Sequence, residues 1–125
     1  MPPGYNQRNY TRILADMPVT FVAHGSVETD GVLADISAGG LRIESTHPLP
    51  VGTLVTCSFY GSNHTLIDVR GEVCAVDGVG FGVRLTGYDV VSYSHLKSLL
   101  ISLADDPHAV ENEILLNLDV LPEPD

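Results

Sequence analysis

The chain has no tryptophan, three phenylalanines and two cysteines among its 125 residues. A core must therefore be filled mostly by aliphatic side chains, and an apolar content of 44% is enough for one. Two cysteines with no neighbouring histidine pair give no zinc spacing. The five histidines are scattered at positions 24, 47, 64, 95 and 108, so neither a metal nor a cofactor is expected. Basic residues are also scarce: six Lys and Arg against 16 Asp and Glu, a net charge of −10. Phosphate backbones are held by basic stripes, and with none present nucleic-acid binding is not expected. No apolar run approaches the roughly 18 residues of a membrane-spanning helix, and the opening residues lack the apolar core of a signal peptide. Membrane insertion is not expected, and a cytoplasmic location is. No Walker loop, HExxH, CxxC or Ser–His–acid cluster can be found, so catalysis is not expected either.

What the chain does contain is alternation. Residues 1–12, with Pro2, Pro3, Gly4, Asn6 and Asn9, read as a mobile arm. From residue 13 to 88, runs of period two follow one another. Val19, Phe21 and Ala23 form an inward set, and Thr29-Asp30-Gly31 reads as a hairpin turn. In the next strand Val32, Ala34 and Ile36 are assigned inward, with Leu33, Asp35 and Ser37 outward. Gly39 and Gly40 turn the chain into Leu41 to Glu44. Further strands are expected over Thr53–Tyr60, Leu66–Val76 and Val79–Leu85, the last with Val79, Phe81, Val83 and Leu85 inward. Cys57 falls on an apolar face and Cys74 on a polar one, which places a disulfide between them out of reach. About six or seven short strands with regular turns indicate an antiparallel barrel or sandwich. The period then changes. Leu96, Leu99, Leu100 and Leu103 share a helix face, and Asp106 with Pro107 starts a second helix whose stripe is Val110, Ile114, Leu115 and Leu118. Helices are thus expected across 89–120, with a frayed tail over 121–125.

Against the acidic background, Arg8 and Arg12 stand out, two of the six basic residues placed four apart in the arm. Such a pair suits a specific small anion. The segment Asp35-Ile36-Ser37-Ala38-Gly39-Gly40 adds a carboxylate, a hydroxyl and a glycine turn, groups able to read a polar ring edge. Each has an ordinary alternative. The arginines could be solvated surface charges, and Asp35 and Ser37 could bond only their local backbone. Arg84 is open between ligand contact and a cross-strand pair with Glu72 or Asp68. Arg42 reads as a surface pair with Glu44 or a neighbour.

Arg8-Asn9-Tyr10-Thr11-Arg12 and Asp35-Ile36-Ser37-Ala38-Gly39-Gly40, in this order, resemble the RxxxR and (D/N)xSxxG signatures of the PilZ domain family. Val79-Gly80-Phe81-Gly82-Val83-Arg84-Leu85 is similar to the family's closing strand. The resemblance implies a mainly β fold, a six- or seven-stranded antiparallel PilZ-type barrel with C-terminal helices. It also implies a bacterial receptor for cyclic di-GMP that regulates a protein partner in motility, biofilm formation or secretion. The positions implied to line the ligand site are Arg8, Arg12, Asp35, Ser37 and Gly40, to which Arg84 is added as a candidate. Gln7 stands where many members carry a further arginine, which leaves open whether one ligand or a stacked pair is bound. The second helix lies beyond the minimal domain, and a homodimer formed through it is also left open. The rival reading is a PilZ-like adaptor that works by protein contact without nucleotide.

Overall fold

The strand β1 (Ile13–Ala23) buries Val19, Phe21 and Ala23 on one face, as its alternation requires. The computed structural model describes residues 12–47 and 49–116. Five strands follow: β2 (Thr29–Ile36), β3 (Gly40–Glu44), β4 (Leu54–Tyr60), β5 (Leu66–Val76) and β6 (Gly80–Tyr88). All neighbours are antiparallel, and the sheet closes on itself in the order β1-β2-β3-β6-β5-β4. Closure gives every strand two paired neighbours and decides for a barrel over a sandwich. The helices α1 (Val90–Leu103) and α2 (Pro107–Leu116) complete the described fold.

The interior is lined by the expected residues of most strands. Leu41 and Ile43, then Val55, Cys57 and Phe59, and then Phe81, Val83 and Leu85 are all buried. Phe21 and Phe81 meet edge to face, with ring centroids 5.2 Å apart. Burial pushes the Cys57 thiol up to about 12, so it behaves as a small apolar group. Cys74 lies on the outer face, and both cysteines are free.

Four details depart from the alternation. The turn between β1 and β2 falls at residues 24–28, where Gly25 adopts φ +80°, and Thr29 to Gly31 already belong to β2. Gly31 is small for a different reason. A Cβ there would come within 2.9 Å of the Glu44 carbonyl oxygen and 3.2 Å of the Phe21 ring. In β2 the inward residues are Leu33 and Ile36, while Val32 is exposed and Ala34 half-buried. An irregularity in the β2–β3 register between Leu33 and Asp35 shifts the phase by one residue. A matching irregularity in β1, between Leu14 and Met17, contains Asp16 at φ +47°. Val79 sits in the turn, not in β6, and is 61% exposed.

Asp89 caps α1 by accepting from the Ser92 backbone N–H at 2.6 Å. Leu96, Leu99 and Leu100 of α1 join the barrel core, and the helix packs against β5 and α2. Leu103, in the last turn, is 39% exposed. Asp106 accepts from the Ala109 N–H at 3.2 Å with Pro107 in the first position of α2, and Val110 is buried. Ile114 and Leu115 belong to α2, but their side chains are not among those described, and Leu118 and the tail lie outside the described residues. No described helix is long and apolar enough to cross a membrane.

Gly80 faces the β3 backbone so closely that a Cβ would collide with the Ile43 carbonyl and sit 2.8 Å from the Glu44 Cα. At Gly82 a Cβ would meet nothing nearer than the Cys74 Sγ at 3.8 Å. Gly80→Ala should therefore cost roughly 1–3 kcal/mol of stability, and Gly82→Ala close to none, in urea denaturation. Equal midpoints for the two variants would contradict this packing.

Candidate functional site

Arg12, the described end of the first motif, meets Asp35 of the second on the outer wall formed by β2, β3 and β6. Arg12 directly precedes β1, and Asp35 lies near the end of β2, with Leu14 as its β1 neighbour and Arg42 as its β3 neighbour. Arg12 donates from Nη2 to both Asp35 oxygens at 2.7 Å, and from Nε to Oδ1 at 3.2 Å. The carboxylate thus fixes the plane of a rigid donor fork. The two side chains are 33% and 16% exposed, so the pair sits at the surface with the carboxylate more covered than the guanidinium. Arg8, Gln7 and Tyr10 lie outside the described residues.

Ser37 is placed differently from its sequence assignment. It is buried, at 1% exposure, because β2 ends at Ile36 and the chain is already turning. Its Oγ accepts from the Gly39 and Gly40 N–H groups at 3.3 and 3.2 Å, and its own N–H donates to the Gly40 carbonyl at 2.9 Å. Leu85 N–H donates to the Gly39 carbonyl at 3.0 Å, which ties the turn to β6. In this structure Ser37 holds the turn, the local-backbone role weighed above, and the turn in turn fixes the end of β2 that carries Asp35.

Gly40 begins β3 and has Arg84 of β6 as its direct neighbour. Arg84 faces outward and donates from Nη2 to Glu72 Oε1 at 2.8 Å, so the cross-strand pair is made. Arg42 takes a different partner from Glu44. It reaches Asp77 at 2.6 Å, in the turn between β5 and β6. Asp77 Oδ1 also accepts from the N–H groups of Val79 and Gly80 at 2.9 and 3.0 Å. The Asp77-Gly78 turn was visible in the sequence, and this use of the Asp side chain is the usual way such turns close. The partner across the strands was not visible, because it depends on the β3–β6 register.

Arg12, Arg42 and Arg84 therefore share one wall, each engaged by a carboxylate. Among the described residues no group of three or more His, Cys, Asp or Glu side chains is placed to hold a metal ion.

A family model described as the PilZ domain matches residues 6–102. Solved structures with a similar fold include the PilZ domain of CeSA from a cellulose-synthesizing bacterium, at 20% identity and a TM-score of 0.53. That match covers 74% of this chain and 94% of the other. The Bacillus subtilis inhibitor of motility (MotI/DgrA) is similar at 15% identity and a TM-score of 0.61. It aligns with 95% of this chain, and the chain spans 57% of its length. No curated protein matches the sequence.

The Asp77 carboxyl is held down from the usual 3.8 to about 2, first by the Arg42 hydrogen bond and then by the Val79 N–H. A depressed carboxyl favours the folded state above pH 3.8, and this contribution fades as the pH falls through about 2. The gap in thermal midpoint between the wild type and Asp77→Asn, present at neutral pH, should close across that range. A gap constant with pH would remove the ion pair as its cause. Ser37→Ala leaves two turn N–H groups without their acceptor and should cost about 1–3 kcal/mol in chemical denaturation.

Proposed function

The chain belongs to the PilZ domain family, and on that premise we propose that it is a cyclic di-GMP receptor that passes the signal to a protein partner. The observation that carries the reading is the contact between the motifs. The second arginine of RxxxR lies directly on the aspartate of the DxSxxG segment, 23 residues away in sequence. A shared ligand needs those groups side by side.

Cyclic di-GMP offers two phosphates, which repel carboxylates and attract guanidinium groups, and two guanines. Each guanine has an N7/O6 acceptor edge that matches the arginine fork and an N1–H/N2–H donor edge that matches a carboxylate. Arg12 supplies the fork, to a phosphate or to a guanine edge. Asp35 both seats Arg12 and can take the guanine donor edge once the ligand shares the guanidinium. Ser37 and Gly40 shape the turn beside them. Arg8 adds the second positive charge from the arm over residues 1–12, which we assign as the segment that closes on the ligand over the barrel of residues 13–88. Ordering an arm costs entropy, and the charged hydrogen bonds offset it. Arg84 flanks the site next to Gly40, where exchange of Glu72 for a ligand acceptor would recruit it. The domain acts by binding rather than by catalysis and needs no cofactor. Its setting is bacterial signalling in the cytoplasm, with output to motility, biofilm formation or secretion.

A specific observation supports the second reading, the nucleotide-independent adaptor. Arg12 and Arg84 already have carboxylate partners, and Ser37 is used by its own turn.

Calorimetric titration with cyclic di-GMP separates the two, with GTP and cyclic di-AMP as controls. Selective heat is expected, with its stoichiometry reporting one ligand or a stacked pair. Arg12 is one-third exposed, so Arg12→Ala should cost near the lower end of about 2–5 kcal/mol, at least tenfold in Kd. Arg8→Ala should weaken binding similarly. No heat from folded protein would establish the adaptor.

A further inference from the structure

The β1–β4 seam of the barrel is incomplete. The two strands pair from Ala23↔Val55 to Thr20↔Ser58 and no further, although β4 continues to Tyr60 and β1 runs back to Ile13. The sequence explains where pairing stops. Antiparallel neighbours alternate between hydrogen-bonded and non-hydrogen-bonded pairs. His24 N–H donates to the Leu54 carbonyl at 3.4 Å, so the bonded positions on this seam step through Val22 and Thr20 and fall next on Pro18. Proline has no N–H to donate. The strands diverge there, and Phe59 and Tyr60 extend past the last pair.

The gap is a cleft of about 630 Å³ lined by both strands and their outer neighbours. Its apolar part includes Pro18, Phe59, Tyr60 and Leu66, of which Tyr60 is 61% and Leu66 45% exposed. Its charged part is entirely acidic: Glu28, Asp30 and Asp68, with no Lys or Arg in the lining. The acids are ordered by register. Asp30, Thr20, Ser58 and Asp68 are successive neighbours across β2, β1, β4 and β5. With strands about 4.8 Å apart, the two carboxylates flank the closed end of the cleft about 14 Å apart along the sheet. Ser58 donates to Asp68 Oδ1 at 2.5 Å, which orients that carboxylate. Neither Glu28 nor Asp30 has an ion-pair partner among the described residues.

We propose that this split seam is a docking surface for an extended basic segment of a partner protein. Three features select that occupant. The parted strands leave backbone edges beside a groove, the setting in which an extended chain adds to a sheet. The exposed Tyr60 and Leu66 offer apolar contact at its rim. Glu28 and Asp30, without ion-pair partners among the described residues, attract positive charge, and an Arg or Lys side chain can lay its aliphatic stem on Tyr60 or Leu66 while its head reaches Asp30 or Asp68. This surface uses Pro18 to Thr20 of β1 and Asp30 and Gly31 of β2, several residues along the same strands from the Arg12–Asp35 contact, shares no residue with that contact and does not depend on the nucleotide reading.

The test is a titration of the isotope-labelled, nucleotide-free chain with a short synthetic peptide alternating leucine and arginine, followed by NMR. Amide shifts are expected at Thr20, Asp30, Ser58, Tyr60, Leu66 and Asp68. The version with glutamate in place of arginine should leave them unmoved. Asp30→Asn with Asp68→Asn should weaken binding about tenfold, while Asp105→Asn with Glu111→Gln, equal in charge but outside the cleft, should not. Tyr60→Ala, which leaves every charge in place, should weaken it too and covers the case in which the double variant fails to fold. Absence of shifts, or equal weakening by both charge pairs, would overturn the proposal. So would concentration-dependent shifts at the same amides without peptide, which would make the occupant a second copy of the chain.

Discussion

Six strands must close around a core that contains few aromatic rings, and the rest of the structure follows from how that closure is achieved. Phe21 of β1 and Phe81 of β6 meet across the interior, and aliphatic residues from every strand fill the space around them. A closed sheet cannot keep perfect alternation everywhere. The phase shifts between Leu14 and Met17 in β1, between Leu33 and Asp35 in the β2–β3 pairing, and twice between β5 and β6. Such irregularities bend strands and re-aim side chains. Here they bury Leu33 and Ile36 while leaving Asp35 on the outside.

The candidate site is a product of that bending. Asp35 is turned toward the residue that enters β1, and Arg12 is there to meet it. The Ser37 turn fixes the end of the strand by bonding to its own backbone and, through Gly39, to β6. The described part of the site is therefore fixed on the barrel side by strand and turn hydrogen bonds. Arg42 and Arg84 bring two further guanidinium groups to the same wall, each oriented by a carboxylate. An acidic protein has in this way gathered half of its six basic side chains on one surface.

The β1–β4 seam has a different character. Pro18 stops the β1–β4 ladder, the strands part, and the cleft that opens is acidic with an apolar rim. The barrel thus carries an ion-paired wall and an acidic cleft, two surfaces of different chemistry.

The sequence by itself determined the strands β3 to β5 to within a residue and the body of β6, though not its extension to Tyr88, together with the inward residues of β1, β4 and most of β6, the caps at Asp106 and near Asp89, and the two motifs. Period and turn chemistry are local properties, and so was the placement of Cys57 and Cys74 on opposite faces. Tertiary structure decided what depends on register. It set which of Val32 and Leu33 faces the core, that Gly31 is a close-packing residue inside a strand and not a turn, and that Ser37 is buried. It also chose Asp77 over Glu44 as the partner of Arg42 and opened the seam beyond Thr20 and Ser58. A single-residue phase shift costs the alternation pattern nothing that can be seen in one strand, yet it reassigns every side chain after it, so only the neighbouring strands could decide it.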